Sequence, residues 1–207
     1  MSADLGYFEN DRADVVAQLE RPIGRALDVG CGAGAVGVRL REAGATHLTG
    51  VEVFPEAAAR ARERYDVVVE APIEDALGQL DGPFDTILCL DVLEHLVDPE
   101  PVLRGLRGLA APGGRLQISV PNARHFSLVR DLLFRGTFGY SDWGHRDRTH
   151  LRWFTRRDMI ALLEATGWSV TGTGHPPLGR SKALAKLTRD RSSDFLVAQF
   201  YVSARAA

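Results

Sequence analysis

The sequence predicts an α/β fold: a doubly wound sheet, mostly parallel, with helices on both faces and one antiparallel strand at the C-terminal end. Three observations carry that expectation. Short β-branched or apolar runs alternate with helical patterns from Arg25 to Val120, the rhythm of a parallel sheet covered on both sides. The run FDTILCL, Phe84–Leu90, is almost wholly apolar, as a strand buried on both faces should be. The last apolar run, Phe195–Ser203, has no helix between it and the chain end, which makes it antiparallel to its neighbours.

The elements follow in order. Strands are expected at Arg25–Val29, His47–Glu52, Asp66–Glu70, Phe84–Leu90, Arg115–Val120, Trp168–Gly174 and Phe195–Ser203. Helices are expected between the first five, at Ala35–Glu42, Pro55–Arg64, Ile73–Leu80 and Pro99–Ala110, with another at Thr155–Ala165. YFENDRADVVAQL, residues 7–19, reads as an N-terminal helix with Tyr7 or Phe8 as a lid, or as a helix packed on the sheet edge. Pro121–Arg152 breaks the rhythm with a long insertion at a strand's C-terminal end, the usual place for function in an open α/β sheet. The basic stretch GRSKALAKLTRDRSS before the last strand reads as a helix or a mobile loop.

The 207 residues suit one domain, 1–207, with a full core. Net charge is −2, so no basic excess points to nucleic acid. Cys31 and Cys89 both fall in or beside apolar strand candidates, which is no disulfide framework and fits a reducing cytoplasm. No run of about 18 apolar residues marks a membrane span, and MSADLGYFEND lacks the pattern of a signal peptide. The expected partner is a small molecule, with neither nucleic acid nor membrane involved, and a homodimer is compatible.

RALDVGCGAGAVGVRL, Arg25–Leu40, holds the strongest motif. Gly30, Gly32 and Gly34 follow the first strand, and Gly37 lies in the first turn of the helix. Bare backbone there admits a ligand close to a helix N-terminus. Gly32, Gly34 and Gly37 also spell G-x-G-x-x-G, and Glu52 ends the second strand, so a nicotinamide dinucleotide is a rival. Asp28 and Asp91 argue against it, because both would set negative charge around a pyrophosphate. No Tyr-x-x-x-Lys constellation is present either. A ligand carrying a sulfonium suits this acidic rim better.

LDVGCGAGAVG, GVEVFPEAAARAR, FDTILCLDVLEHLVDP and LRGLRGLAAPGGRLQISVPN together resemble four successive motifs of the class I S-adenosylmethionine-dependent methyltransferases, over roughly residues 25–122. The resemblance implies a Rossmann-like seven-stranded sheet with one antiparallel strand. It also implies S-adenosylmethionine as cofactor and S-adenosylhomocysteine as product. Asp28, Gly30, Cys31, Gly32 and Gly34 would then cradle the methionine half, Glu52 would accept both ribose hydroxyls, and Val53 and Phe54 would lie beside the adenine. Ile73 would pack on that ring and offer its N–H. Asp91 would lie near the methionine ammonium, unless it serves as a helix N-cap, and Val92 near the sulfonium. Many relatives place an acid just before the position of Ile73. Here Pro72 stands there.

The segment VPNARHFSLVRDLLFRGTFGYSDWGHRDRTHLRWFT resembles methyltransferases of cell-surface polysaccharide and secondary-metabolite pathways. The methionine-biosynthesis protein W family carries a related PN…H segment. Residues 121–152 are read as the acceptor-binding segment. It opens with an amphipathic helix whose apolar side is Phe126, Val129, Leu132 and Leu133. Arg124, His125, Tyr140, Trp143 and Arg152 are expected at the acceptor. Alternatively, Arg124 and Arg152 pair with Asp131 and Asp147. Methyl transfer to an alcohol needs a proton acceptor, and imidazole titrates in the useful range. The candidates are His150, then His145 and His95, with a structural bond from His150 to Asp147 or a carbonyl as the bland alternative. No metal is assigned. Asp91, Glu94 and His95, with one remote histidine, form an alternative cation site, set against a capped helix start with a solvated Glu94.

The reading is methyl transfer from S-adenosylmethionine to a small polar acceptor, a hydroxyl oxygen of a sugar or natural-product intermediate. Two rivals stand beside it. One is a catalytically silent accessory protein of the same fold acting through a partner. The other is a nicotinamide-dependent oxidoreductase.

Overall fold

A seven-stranded sheet organises the chain; in spatial order its strands are β3 (Val67–Glu70), β2 (Ala45–Glu52), β1 (Gly24–Val29), β4 (Phe84–Leu90), β5 (Ala110–Pro121), β7 (Gln199–Ala206) and β6 (Trp168–Gly174). The computed structural model describes residues 10–176 and 193–206. The helices are α1 (Ala13–Val16), α2 (Ala35–Glu42), α3 (Pro55–Ala61), α4 (Ile73–Ala76), α5 (Pro99–Leu109), α6 (Phe126–Arg135), α7 (Arg156–Ala165) and α8 (Ser193–Leu196). Pairings among the first five strands are parallel. β7 runs antiparallel to both β5 and β6, so it alone is reversed, as the sequence predicted.

Strand alternation builds a core on each face. Leu27, Val29, Ile87, Cys89, Leu116 and Ile118 point to one side and pack with Val102, Leu103 and Leu106 of α5 and Met159 and Leu163 of α7. Ala26, Leu88 and Leu90 point to the other and meet Val15, Val16, Val36 and Leu40 of α1 and α2. Burying each of the larger side chains contributes roughly 1.5–3 kcal/mol. The indole of Trp168 donates to the Leu103 carbonyl at 3.0 Å, so its polar edge is satisfied inside that core. Asp98 caps α5 ahead of Pro99, its side chain accepting from Glu100 N at 3.2 Å.

α3 and α4 end earlier than expected, at Ala61 and Ala76, and β5 begins earlier, at Ala110; the N-terminal helix, β7 and α6 differ more. The N-terminal helix is short because Arg12 takes φ +42°, which stops helix before Ala13. Tyr7 and Phe8 lie outside the described residues, as does most of GRSKALAKLTRDRSS. The last strand begins at Gln199 rather than Phe195. The buried Asn122 amide donates to the carbonyls of Asp194 and Val197, at 2.6 and 2.8 Å, and holds α8 as a turn. α6 buries Leu128 and Asp131, while Phe126, Leu132 and Leu133 are exposed. Asp131 decides that rotation, because it gathers Arg130, Arg135 and Arg146.

Candidate active site

The sheet order reverses between β1 and β4, which opens a crevice at their C-terminal ends. The loop after β1 and the turn after β4 meet there. Gly30 has φ +72°, and a Cβ on it would come within 2.7 Å of Val92 Cγ2, so only glycine fits. Gly30 N and Cys31 N both donate to the Val51 carbonyl, at 2.8 and 3.0 Å, folding the loop back over β2. Cys31 turns its side chain inward, Sγ lying 2.6 Å from where a Cβ on Gly50 would be. Burial pushes its thiol up, so Cys31 serves the loop through backbone. Gly37 answers to protein rather than ligand: a Cβ there would strike the Tyr65 ring at 2.4 Å. One glycine of the G-x-G-x-x-G spelling is thereby accounted for by packing.

That tyrosine reaches Asp28. Its hydroxyl donates to Asp28 Oδ2 at 2.5 Å. Burial, opposed by this bond and reinforced by the nearby Glu52, pushes the Asp28 carboxyl up to about 7. Glu52 is buried, with Oε2 accepting from Gly32 N at 2.8 Å and Oε1 from Phe54 N at 2.9 Å. Each oxygen retains a second lone pair for a ligand hydroxyl. Glu52 therefore clips the glycine loop to the end of β2. Val53 and Phe54 stand half exposed on that rim. Ile73 is buried at the start of α4, and Asp75 N and Ala76 N turn back to the Pro72 carbonyl. Ile73 N, in the first turn, belongs to the N–H groups a helix leaves unpaired.

Asp91 takes φ +60°, an uncommon conformation for a side-chain-bearing residue. It does not cap a helix, because the following turn is a 3₁₀ turn, Leu93–His95, with no side-chain cap. Asp91 Oδ2 pairs with Arg12, and Oδ1 accepts from Ser119 at 3.0 Å and from the Gln199 amide. Burial pushes the Asp91 carboxyl up and the guanidinium pulls it back. Arg12 is itself buried, with Nη2 3.3 Å from Gln199 Oε1. Sequence reasoning missed Arg12, Gln199 and Ser119. A lone cation inside ENDRAD, among acids and just before an apolar run, was the available signal.

Four histidines, three of them within the inserted segment, form two pairs. His95 and His150 meet edge-on, centroids 4.9 Å apart, and His125 and His145 do so at 5.0 Å. His150 does not use its ring to bond Asp147; its backbone N–H donates to the Asp147 carbonyl at 3.2 Å, and Nδ1 is buried without a partner. Burial first, then the neighbouring His95, pushes His150 down to about 4. Burial and His125 push His145 down to about 4 as well. Asp147 instead accepts from Thr149 N and Oγ1, both at 2.8 Å.

Glu94 is almost fully buried and neither carboxylate oxygen has a partner, which corrects the expectation of a solvated Glu94. Burial, followed by the charge of Asp91, pushes its carboxyl well up. The Glu94 carbonyl accepts from Leu151 N and Arg152 N, at 2.7 and 3.0 Å, and so ties the inserted segment to the end of β4. Glu94, His95 and His150 bring one ligand atom each within 4.8 Å of one another. Asp91, included in the cation set expected from sequence, is not in that cluster; His150 supplies the remote histidine.

The predicted acceptor residues divide. His125 belongs to the histidine group. Arg124 pairs with Asp194 at 3.6 Å and covers the Phe195 ring, and Arg152 donates to the Val97 carbonyl at 2.8 Å. Neither pairs with Asp131 or Asp147. Tyr140 and Trp143 stand in solvent.

A family model described as "Methyltransferase domain" matches residues 8–172. The chain belongs to the methyltransferase-domain family. It is 37% identical over 135 residues to the ubiquinone biosynthesis O-methyltransferase of Xylella fastidiosa (strain M23), covering 58% of this chain and 54% of that one. The enzyme of the same description from Xanthomonas euvesicatoria pv. vesicatoria (strain 85-10) is 33% identical over 145 residues, covering 62% and 60%. The matches thus span little more than half the length of these curated relatives. An S-adenosylmethionine-dependent methyltransferase from Mesorhizobium loti shares the fold, with TM-score 0.65 and 19% identity over 98% of this chain and 100% of that one. The Rossmann-like sheet expected from the four motifs is the sheet of this methyltransferase domain.

Proposed function

We propose that this methyltransferase domain transfers a methyl group from S-adenosylmethionine to a hydroxyl oxygen of a small polar acceptor. The observation that carries the reading is the Arg12–Asp91 pair at the switch-point crevice. A buried cation beside a carboxylate is the complement of a zwitterionic amino acid, with Asp91 for its ammonium and Arg12 for its carboxylate. A dinucleotide carries no such group. Gly30 to Gly34 would line the methionine chain with backbone, and Glu52 would take the ribose hydroxyls. The O-methyltransferase names of the curated relatives support oxygen as the nucleophile.

Methyl transfer is an in-line displacement at a carbon that the sulfonium already activates. The protein supplies position, exclusion of water and a proton acceptor. His150 fits the last role. Burial keeps its imidazole neutral, and its Nδ1 has no competing partner. Glu94 sets an unpartnered carboxyl oxygen within 4.8 Å of that ring's ligand atom, available to accept from the imidazole once the acceptor proton arrives. The test is S-adenosylhomocysteine release from S-adenosylmethionine over a panel of hydroxylated acceptors. Turnover that depends on His150 supports the reading. No turnover on any acceptor, together with a tight protein partner in pull-down, supports the accessory role.

The two unpartnered oxygens of Glu94 favour a second component at the same place. Carboxylate and imidazole donors within one small cluster suit a divalent cation. Glu94, His95 and His150 would hold it, and it would polarise an acceptor hydroxyl. Calorimetric titration of chelator-treated protein with Mg²⁺ or Zn²⁺ tests this. Binding that Glu94→Gln abolishes supports the site. Absence of binding, with activity unchanged by EDTA, leaves His150 as a base alone.

A further inference from the structure

The far end of α6 is apolar in several directions at once. Leu132, Leu133 and Phe134 are 47%, 71% and 82% exposed. At about 100° per residue, three consecutive positions fan across roughly 200° of the helix circumference. A groove on another protein covers one stripe of a helix, whereas entry of the helix end into an apolar layer covers all three. Trp143, 77% exposed, and Tyr140 stand on the loop that follows. Tryptophan, tyrosine and arginine together are the side chains that sit comfortably at a membrane–water boundary.

Charge favours the same occupant. Residues 121–152 hold six arginines against three aspartates, with no lysine or glutamate, on a chain whose formal net charge is −2. The segment is therefore a positive island on an acidic protein. Arg130, Arg135 and Arg148 are exposed around the apolar tip, with Asp131 and Asp142 as their local partners. A second copy docked symmetrically on this face would bring two positive islands together.

We propose that the end of α6 and the loop carrying Trp143 seat this protein on an anionic lipid bilayer surface. Leu133, Phe134 and Trp143 enter the boundary between headgroups and acyl chains, and the arginines meet lipid phosphates. The expectation of no membrane partner rested on the lack of an apolar run long enough to span. Among the described residues no helix is long and apolar enough to cross a membrane, but a surface-seated helix end needs no such length. The face continues into the interior as a chain of rings. Tyr140 meets Phe138 at 4.5 Å, Phe138 meets Trp153 at 4.6 Å, and Trp153 meets His150 at 5.5 Å.

Flotation of the full chain with vesicles tests this without any assay of methyl transfer. Two vesicle preparations are used: phosphatidylcholine alone, and equal parts phosphatidylcholine and phosphatidylglycerol. The protein should float with the mixed vesicles and stay behind with the neutral ones. Leu133→Ser with Phe134→Ser, both at exposed positions that leave the core intact, should cut the bound fraction about tenfold or more. Tryptophan emission should shift to the blue on binding, and Trp143→Phe should remove that shift. No flotation with the mixed vesicles, equal flotation with both, or a double variant that binds as the parent does would overturn the proposal. So would light scattering that shows a dimer in the parent chain and a monomer in the double variant.

Discussion

Arg12 and Asp91, 79 positions apart in the chain, form a partly buried ion pair at the C-terminal edge of the sheet. The pair joins the segment before α1 to the turn after β4, and Gln199 and Ser119 complete it. Arg12→Ala should weaken S-adenosylhomocysteine binding by about 1.5–3 kcal/mol, the loss of a hydrogen bond to a charged group. Arg12→Lys should restore part of it, since it keeps the charge and loses the fork. Calorimetry reads both, and an unchanged affinity in Arg12→Ala removes the residue from the site.

Glu52 makes a different prediction, because it clips the loop and, in the proposed function, would also take the ribose hydroxyls. Glu52→Ala should lower cofactor affinity by about 1–3 kcal/mol. It should also loosen the glycine loop, since the Gly32 and Phe54 amides lose their acceptor. Hydrogen exchange at Gly32 and Phe54 should speed up in the free protein. Exchange unchanged at both amides would contradict the clip.

Asp28 tests the electrostatics of the crevice floor. Its carboxyl is pushed up to about 7 by burial, above the value of about 3.9 expected unfolded. The folded state therefore holds the proton more tightly. Its contribution is complete below about pH 4 and is lost as pH rises through about 7. Asp28→Asn keeps an acceptor for Tyr65 without the charge. It should stabilise the protein at pH 8 by on the order of 2–4 kcal/mol, with the advantage vanishing near pH 4. Thermal unfolding across that range decides it, and a variant less stable at pH 8 would contradict the account.

His150 and His145 carry the opposite sign. Both are pushed down to about 4, below the ordinary histidine value of about 6.5. Their contribution is present above about 6.5 and is lost as pH falls from there toward 4. The same shift keeps His150 unprotonated through the neutral range, so the acid limb of turnover should fall near pH 4–5. His150→Asn should lower turnover by roughly 10²–10⁴ and leave cofactor affinity unchanged. An acid limb near pH 6.5, or turnover intact in the variant, would remove His150 as the base.

Much of this was legible in the chain because it depends on local chemistry. The almost wholly apolar run FDTILCL and the glycines after Val29 place β4, β1 and the crevice between them. Glu52 is legible because a strand end fixes where its carboxylate goes. What escaped depends on pairings across the fold. The burial of Glu94 and the unpaired Nδ1 of His150 arise only once the Glu94 carbonyl captures Leu151 and Arg152. The rotation of α6 escaped because its apolar residues are spread around the helix, and a buried Asp131 with three arginines overrides them. The late start of β7 depends on Asn122, some 75 residues upstream.

Calorimetric titration of the intact chain with S-adenosylhomocysteine, and separately with NADH, tests most directly whether the crevice between β1 and β4 receives a zwitterionic sulfur nucleoside. Saturable one-to-one binding of S-adenosylhomocysteine, weakened in Arg12→Ala and Glu52→Ala, with no NADH binding, is the predicted result. Tight binding of NADH with no response to S-adenosylhomocysteine would contradict it.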